Sequence, residues 1–239
     1  FLVDLLIQKG HNVCVCGQNF SSRFDDLSPN LTIKKGNIIK GTYIHNAIQD
    51  YKPDVIMHLA AQSFPNVSWN FPVNTFEVNT IGTINLLEAV LKTEINPTII
   101  IASSSSVYAS TVNNEQITED STLEPLSSPY GISKLTQERL GELYRIRYAM
   151  NILIVRPFFL IGPRKEGDVS SEFAKSIVAI EKGTKSKIGV GNLDIVRDFL
   201  DVRDGAEALY LLSNKGMNGE AYNICSGVGY PLNQILDIF

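Results

Sequence analysis

Short apolar runs alternate with stretches of helical periodicity along the whole chain. The runs that predict strands are HNVCVCG, LTIKKG, PDVIMHLAA, PTIIIASSS, NILIVRPFFL, SKIGV and EAYNICSG. Amphipathic helices are predicted between them, the two longest at 74–93 and 128–150. This alternation is typical of a parallel sheet covered by helices on both faces. We therefore predict a doubly wound α/β fold.

The same pattern predicts how the chain is organised. Residues 1–158 are expected to form a dinucleotide-binding domain of the Rossmann type. Residues 159–239 are expected to form mainly a smaller substrate-binding part, with 198–226 returning to the first domain. The chain opens and closes inside helices, so we expect it to be truncated at both ends. The missing N-terminal piece would carry the central first strand and a Gly-rich turn, because a sheet without that strand leaves buried backbone groups unpaired.

Composition and charge narrow the function classes. The net charge of -4 gives no electrostatic reason to expect a nucleic-acid partner. Apolar stretches fall short of the roughly 20 residues that a membrane span needs. The three cysteines are an odd number and read as reduced thiols, which predicts a cytoplasmic protein. Cys14 and Cys16 alternate along a predicted strand and are interpreted as packing residues, so no metal site is expected.

A candidate acid/base pair stands at the start of the second long helix. Tyr130 and Lys134 are four residues apart and share one helical face. An ammonium beside a phenol favours the phenolate and lowers its pKa, which suits proton exchange with a sugar oxygen. A helix-surface pair is the alternative interpretation, because Tyr-x-x-x-Lys is common. Ser104 strengthens the functional interpretation, since it follows the end of a predicted buried strand, at the edge where open α/β sheets bind ligands.

Several segments together resemble the extended short-chain dehydrogenase/reductases that act on nucleotide sugars. They are, in order, HLAAQS, EVNTIGTINLLEAV, SSSSVYA, SPYGISK, VRPFFLIGPR and RDFLDVRD. The resemblance covers nearly the whole chain and is strongest to the GDP-mannose 4,6-dehydratase and GDP-4-keto-6-deoxymannose reductase group. It implies that Ser104, Tyr130 and Lys134 are catalytic.

The resemblance also implies a nicotinamide dinucleotide cofactor. Besides Tyr130 and Lys134, the implied cofactor-binding residues are Gly17, Arg23, Asn37, Ile38, Leu59, Ala60, Ala61, Asn79, Ser103, Arg156 and Pro157. Gly17 stands where an Asp normally binds the adenosine ribose of NAD. The lost carboxylate and the nearby Arg23 favour NADP over NAD, although a solvated loop position for Arg23 is the alternative.

Substrate contacts are implied further along the chain. The segment GNLDIVRDF resembles one in which an Arg, here Arg197, faces the substrate diphosphate. The alternative for Arg197 is a surface ion pair with Asp198 or Asp201. Ser105, Phe159 and Asn192 complete the expected substrate-binding residues. Phe159 replaces an Asn of the family pattern and cannot supply the hydrogen bonds of an amide.

The leading hypothesis is NAD(P)H-dependent reduction of a nucleotide-linked 4-keto-6-deoxy sugar. A nucleotide-sugar 4-epimerase with the same three catalytic residues is the close alternative. A 4,6-dehydratase is disfavoured, because Ser106 stands where dehydratases carry an acidic residue. A non-catalytic dinucleotide sensor is the least favoured hypothesis. The helices at 74–93 and 128–150 resemble those that pair into a four-helix bundle in this family, so a homodimer is also expected, with packing on the sheet as the alternative.

Overall fold

The computed structural model describes residues 1–20, 28–110 and 115–239. The strands are β1 Val13–Gly17, β2 Leu31–Lys35, β3 Val55–His58, β4 Thr98–Ala102, β5 Asn151–Pro157, β6 Phe159–Ile161, β7 Val196–Asp201, β8 Ala221–Ile224 and β9 Gly229–Pro231. The α-helices are α1 Leu2–Gln8, α2 Gly41–Tyr51, α3 Pro65–Asn70, α4 Pro72–Phe76, α5 Gly82–Lys92, α6 Pro129–Tyr148, α7 Val169–Glu181, α8 Val202–Lys215 and α9 Leu232–Ile238. A π-helical segment, Glu77–Ile81, joins α4 to α5.

Parallel strands form the sheet that carries the site. β3, β4, β5 and β8 are hydrogen-bonded in that order, and β1 pairs with β2 as a separate two-stranded piece. Within the described residues, no strand pairs with the remaining edge of β1 or with the edge of β3 that faces away from β4. The expected further strand stays a prediction.

Two hydrophobic cores lie on opposite faces of this sheet. Successive side chains of a strand point to opposite faces, and β4 shows this directly. Ile99 and Ile101 pack in the core formed with α2 and α5, whereas Ile100 and Ala102 pack in the core formed with α8. All four side chains are buried, which explains the nearly continuous apolar run. The predicted doubly wound α/β class is thereby confirmed.

A second, smaller sheet follows the main one. β6 and β7 are parallel, and β7 pairs with β9 in the antiparallel direction. Between β7 and β9 the chain returns to the main sheet, where β8 pairs with β5. None of the helices in the described part of the chain is long and apolar enough to cross a membrane.

Three predicted elements differ in detail from the structure. The strand expected over SKIGV is wrong, because residues 186–190 pair with no strand and instead line a cavity beside α7. The run NILIVRPFFL divides into β5 and β6 at Phe158, whose N–H donates to the Ile224 carbonyl at 2.9 Å. The helix expected at 74–93 contains the π-helical segment in its middle.

Candidate active site

Two hydroxyls of the predicted site lie where β4 ends at the carboxyl edge of the sheet. Ser103 and Ser104 directly follow β4, and both are buried. Ser104 Oγ accepts a hydrogen bond from the Ser106 backbone N–H at 3.1 Å, which holds the turn in place. Ser103 Oγ is buried without a partner among the described residues. A buried hydroxyl of this kind costs free energy unless a ligand satisfies it.

Tyr130 and Lys134 lie at the start of α6, and both are buried, with 7% and 3% of their surface exposed. Ser128 caps the helix, since its Oγ accepts a hydrogen bond from the Gly131 N–H at 3.2 Å, and a proline occupies the first turn. The Tyr130 N–H donates to Ser68 Oγ in α3 at 3.1 Å. Capping therefore fixes where the helix begins and which way Tyr130 points.

Gly131 allows α6 to approach the serine turn closely. A Cβ at this position would lie 2.7 Å from the Ser106 carbonyl oxygen, so a larger residue would push the helix away. The approach brings the Tyr130 phenol near Ser104, whose hydroxyl opposes the rise in the pKa of Tyr130. The three residues predicted to be catalytic therefore meet at one edge of the sheet.

Burial dominates the electrostatics of this cluster. Burial raises the pKa of Tyr130, and the hydrogen bond with Ser104 offsets only part of the rise. Lys134 Nζ donates to the Ala102 carbonyl at 2.6 Å and to Gln137 Oε1 at 2.8 Å, and it lies 5.9 Å from the centre of the Tyr130 ring. The expectation that Lys134 lowers the pKa of Tyr130 is therefore wrong for this arrangement.

Lys134 has a perturbed pKa of its own. Burial disfavours the ammonium and lowers the pKa of Lys134 to about 7, although the charge of Glu138 opposes the shift. The site thus holds a protonated phenol beside an amine that titrates near neutrality.

A buried chain of polar side chains links Lys134 to the π-helical segment. Gln137 Nε2 donates to Thr83 Oγ1 at 2.7 Å, and Thr83 Oγ1 donates to the Asn79 carbonyl at 2.6 Å. His58 Nε2, at the end of β3, lies 2.8 Å from Thr83 Oγ1. Burial and the nearby Lys134 lower the pKa of His58 to about 3, so the ring is neutral. These contacts fix α6, α5 and the end of β3 relative to one another.

Asn79 shapes the wall of the site from the π-helical segment. It is completely buried, and its Oδ1 accepts a hydrogen bond from the Gln62 N–H at 2.8 Å. Its Nδ2 donates to the Gln62 carbonyl at 3.1 Å and to Ser133 Oγ at 2.9 Å. Both amide hydrogens are thus used inside the protein, which makes Asn79 a brace between α6 and the loop after β3.

Arg156 is held by an interior ion pair. Glu138 accepts hydrogen bonds from its Nε at 3.0 Å and its Nη2 at 2.8 Å, and the two side chains are 5% and 6% exposed. Arg156 Nη1 also donates to the Tyr108 hydroxyl at 2.9 Å and the Glu119 carbonyl at 3.0 Å. Because these partners occupy the guanidinium, a cofactor contact at Arg156 and Pro157 would have to come from the backbone.

The other predicted cofactor residues follow the carboxyl ends of β1, β2 and β3. The Gly17 carbonyl accepts a hydrogen bond from the Gly36 N–H at 2.7 Å. Asn37 Oδ1 accepts from the Ile39 N–H at 3.0 Å, which leaves the side-chain amide hydrogens available to a ligand. The neighbouring Ile38 carbonyl accepts from Asn85 Nδ2 at 3.0 Å. Arg23 lies outside the described residues.

The residues after β3 are apolar and open to solvent. Leu59 is 46% exposed, Ala60 is exposed and Ala61 is half-buried. Close by, Gln62 Oε1 and Thr80 Oγ1 are buried without a partner among the described residues. Together with the unpaired Ser103 hydroxyl, these groups fit a dinucleotide that contacts the protein through both apolar and polar atoms.

Arg197 does not form the surface ion pair that was the alternative to substrate binding. Asp198 instead accepts a hydrogen bond from the Ser226 N–H at 2.7 Å, and Asp201 pairs with Arg203 at 2.6 Å. Arg197 itself is exposed, and its Nη1 donates to the preceding backbone carbonyl. Its charge is therefore available to an anionic ligand.

The remaining predicted substrate residues lie apart, Phe159 and Asn192 in or near the smaller sheet and Ser105 after β4 of the main sheet. Phe159 meets Phe199 edge-on with ring centres 5.0 Å apart, and Lys165 Nζ lies 4.1 Å from the centre of the Phe159 ring. Ser105 begins the 3-10 turn after β4. Asn192 is exposed and lines the cavity beside α7.

Sequence reasoning missed Gln137 and Glu138, although their spacing carries a signal. They follow Lys134 by three and four residues and so share its helical face. Arg156 in an otherwise apolar strand also signals a buried ionic partner. Thr83 carries no comparable signal, because only the tertiary fold brings it to Gln137.

Comparison with known proteins agrees with this geometry. The fold is that of the extended short-chain dehydrogenase/reductases, as the sequence predicts. Residues 1–238 match the model of the GDP-mannose 4,6-dehydratase family, and the chain belongs to that family. GDP-6-deoxy-D-mannose reductase of Pseudomonas aeruginosa is 31% identical over 188 residues, which cover 78% of this chain and 62% of that protein. The chain thus spans less than two thirds of that relative.

Two solved structures are also similar. UDP-glucose 4-epimerase of Thermotoga maritima with UDP-glucose has a TM-score of 0.88 at 28% identity, covering 99% of this chain and 76% of that one. RMD from Pseudomonas aeruginosa complexed with NADPH has a TM-score of 0.83 at 26% identity, covering 94% of this chain and 82% of that one. Both an epimerase and an NADPH-binding protein therefore share this fold.

Proposed function

We propose that the protein reduces a nucleotide-linked 4-keto-6-deoxy sugar with a reduced nicotinamide cofactor. The observation that carries the proposal is the proximity of Ser104, Tyr130 and Lys134 at the carboxyl edge of the sheet. Beside them lies the buried Ser103 hydroxyl, which has no partner in the described part of the chain. A reductase similar to this chain, GDP-6-deoxy-D-mannose reductase, supports the substrate class.

The raised pKa of Tyr130 suits the proton donation that reduction requires. A buried phenol stays protonated at neutral pH, and reduction of a carbonyl needs a proton donor at the oxygen. In this proposal Tyr130 donates the proton to the developing alkoxide, and Ser104 orients that oxygen through its hydroxyl. Lys134 lies beside the phenol and supplies positive charge while it is protonated.

Residues at the carboxyl ends of β1 to β4 would hold the cofactor, which supplies hydride when bound. They are Gly17, Asn37, Ile38, Leu59, Ala60, Ala61 and Ser103, with Tyr130 and Lys134 at the reactive end. Asn79, whose amide hydrogens are used inside the protein, would support this site from the π-helical segment. NADP is the favoured form, because Gly17 brings no carboxylate to repel a 2′-phosphate, and the similar RMD structure contains NADPH.

The nucleotide sugar would lie along β7 and the loop before it. Arg197 and Phe199 lie two residues apart on β7 and share one face, so they are about 7 Å apart at the rise of a strand. Ile195 directly precedes the strand. Ile195 lines the cavity beside α7, and Phe199 packs against Phe159, the first residue of β6. Arg197 between them suits the diphosphate, because a guanidinium pairs well with phosphate oxygens.

A 4-epimerase is the second candidate, since the similar UDP-glucose 4-epimerase shares the fold. The same three residues serve both reactions, but an epimerase retains its cofactor whereas a reductase consumes it. A dehydratase remains disfavoured, because Ser105 and Ser106 offer no carboxylate for elimination. A non-catalytic sensor has no need of the buried phenol and amine.

The test is turnover of GDP-4-keto-6-deoxymannose with NADPH or NADH, followed by loss of the reduced nicotinamide absorbance. Stoichiometric oxidation with a 6-deoxyhexose product is the expected result, and the two cofactors compared side by side give the preference. Interconversion of UDP- or GDP-hexoses without added cofactor would contradict the reductase proposal in favour of an epimerase.

We also propose that the protein forms a homodimer through the helical regions at 74–93 and 128–150. α6 exposes Ile132, Leu143 and Ile146 by 43%, 59% and 67%, an apolar surface that a partner would cover. Light scattering is expected to give a dimer, and Leu143→Lys with Ile146→Lys is expected to give a monomer. A monomeric unaltered protein would contradict this.

A further inference from the structure

The backbone amide of Tyr130 lies in the first turn of α6, where N–H groups have no partner within the helix. Pro129 brings no N–H to this turn, and the Gly131 N–H donates to the Oγ of the capping Ser128 at 3.2 Å. The cap therefore does not serve the Tyr130 N–H. Because Tyr130 is buried, a partner from elsewhere in the fold has to satisfy this donor.

Ser68 of α3 supplies that partner. Its side chain is completely buried, and its Oγ accepts a hydrogen bond from the Tyr130 N–H at 3.1 Å. The same hydroxyl donates to the Pro65 carbonyl at 2.6 Å, three residues earlier in the chain. Since its own proton points to Pro65, the Ser68 oxygen presents lone pairs to the Tyr130 N–H. The acceptor is thus fixed in direction as well as in place.

A second buried serine holds the carbonyl of the same residue. Ser133 Oγ donates to the Tyr130 carbonyl at 2.7 Å and accepts a hydrogen bond from Asn79 Nδ2 at 2.9 Å. Asn79 in turn is bonded to both backbone groups of Gln62. Hydroxyls therefore hold Tyr130 on both sides of its Cα, and both connect it to the segment 62–68. That segment directly continues the proposed cofactor contacts after β3.

We propose that Ser68 is a positioning residue, which sets where the Tyr130 hydroxyl stands relative to the cofactor and the substrate carbonyl. The inference rests on the proposed role of Tyr130 as proton donor. Ser68 acts through the Tyr130 peptide group and exchanges no proton with the substrate. Without this acceptor the buried N–H has to find another partner, and the first turn of α6 shifts. A small shift of a proton donor slows the chemical step more than it weakens substrate binding.

Amide hydrogen exchange tests the contact without any reaction. In the full chain, Ser68→Ala should accelerate exchange of the Tyr130 amide at least 10-fold and leave the last turn of α6 within 2-fold of the unaltered protein. Ser213→Ala is the matched control, because Ser213 Oγ also donates to the carbonyl three residues earlier, that of Tyr210, at 2.7 Å in α8. It should not change the exchange of Tyr130. A smaller acceleration in Ser68→Ala overturns the proposal.

Single-turnover kinetics test the consequence for catalysis. At saturating substrate and cofactor, Ser68→Ala should lower the rate at least 10-fold, with KM within about 3-fold, and Ser213→Ala should keep the unaltered rate. In the Tyr130→Phe background, which lacks the positioned hydroxyl, Ser68→Ala should change the residual rate by less than 2-fold. A general structural loss would instead lower the rate in both backgrounds, and that result overturns the positioning role.

The outcomes separate this inference from the proposed reaction. The kinetic comparison applies to reduction or to epimerisation, whichever the unaltered protein catalyses. An epimerase therefore overturns the reductase proposal and leaves this test intact, whereas a protein that catalyses neither reaction overturns both. If circular dichroism shows that Ser68→Ala does not fold, Ser68→Cys keeps the size of the side chain and a weak acceptor. That variant should lose at least 3-fold in rate, and a smaller loss overturns the inference.

Discussion

The buried ion pair between Glu138 and Arg156 should be the costliest polar contact to break. Its two hydrogen bonds of 2.8 and 3.0 Å join side chains that are 5% and 6% exposed. Glu138→Gln keeps the shape but leaves the guanidinium charge buried and uncompensated. Loss of one partner from such a pair costs about 3–5 kcal/mol, which is a large part of the typical 5–15 kcal/mol stability of a protein.

The same helix offers a matched control for this prediction. Glu142 pairs with Arg139 at 2.8 Å, but the two side chains are 50% and 60% exposed. Solvent screens this pair, so Glu142→Gln should cost no more than about 1 kcal/mol. Urea unfolding followed by circular dichroism gives the free energy of unfolding of both variants, provided that the dependence on urea is unchanged.

The double variant Glu138→Leu with Arg156→Met sharpens the test. It removes both charges, so it should lose less stability than the sum of the losses in Glu138→Leu alone and Arg156→Met alone. The expected coupling energy is about 2 kcal/mol or more. Equal losses in Glu138→Gln and Glu142→Gln would refute the reasoning, because burial would then not determine the strength of the pair. Such a result would also reopen a direct cofactor contact for the Arg156 side chain.

Three further predictions concern the catalytic cluster. Gln137→Leu removes an acceptor from the Lys134 ammonium and should lower the pKa of Lys134 below about 7. The alkaline limb of the pH profile of kcat/KM should then move about one pH unit lower, and an unmoved limb contradicts this. Lys134→Met should be more stable than the unaltered protein by a few kcal/mol at pH 7 and by less at pH 10. The reason is that a pKa lowered in the folded state costs stability as the pH falls from 10.5 to about 7. A difference in urea midpoint between the two proteins that is equal at both pH values contradicts this. Gly131→Ala places a Cβ 2.7 Å from the Ser106 carbonyl oxygen, which should displace the helix and lower kcat/KM at least 10-fold. A kcat/KM within 2-fold of that of the unaltered protein would argue against this close contact.

The fold was largely predictable because its signals are local. The apolar runs mark buried parallel strands, and a capping Ser128 with Pro129 marks the start of α6. SKIGV misled the prediction, because its apolar residues face a cavity and have no neighbouring strand. Alternating side chains alone cannot distinguish these two surroundings.

Spacing and resemblance single out the candidate catalytic residues, but they do not predict the electrostatics of those residues. The pKa of Tyr130 depends on how deeply the fold buries the phenol and on where Lys134 donates its hydrogen bonds. Those contacts join residues that are far apart in sequence, as Gln137 and Thr83 are. Helical spacing places Lys134 near Tyr130 but does not reveal that the ammonium binds a backbone carbonyl.

The most direct test of the proposed reduction is the single-turnover rate of Tyr130→Phe with GDP-4-keto-6-deoxymannose and the reduced cofactor. Phe keeps the buried ring and removes only the hydroxyl, so the fold and the affinity for the cofactor should stay within about 2-fold. The rate should fall by about 100- to 10,000-fold, the usual contribution of a positioned proton donor. A rate within 10-fold of that of the unaltered protein would contradict the assignment of Tyr130 as the proton donor.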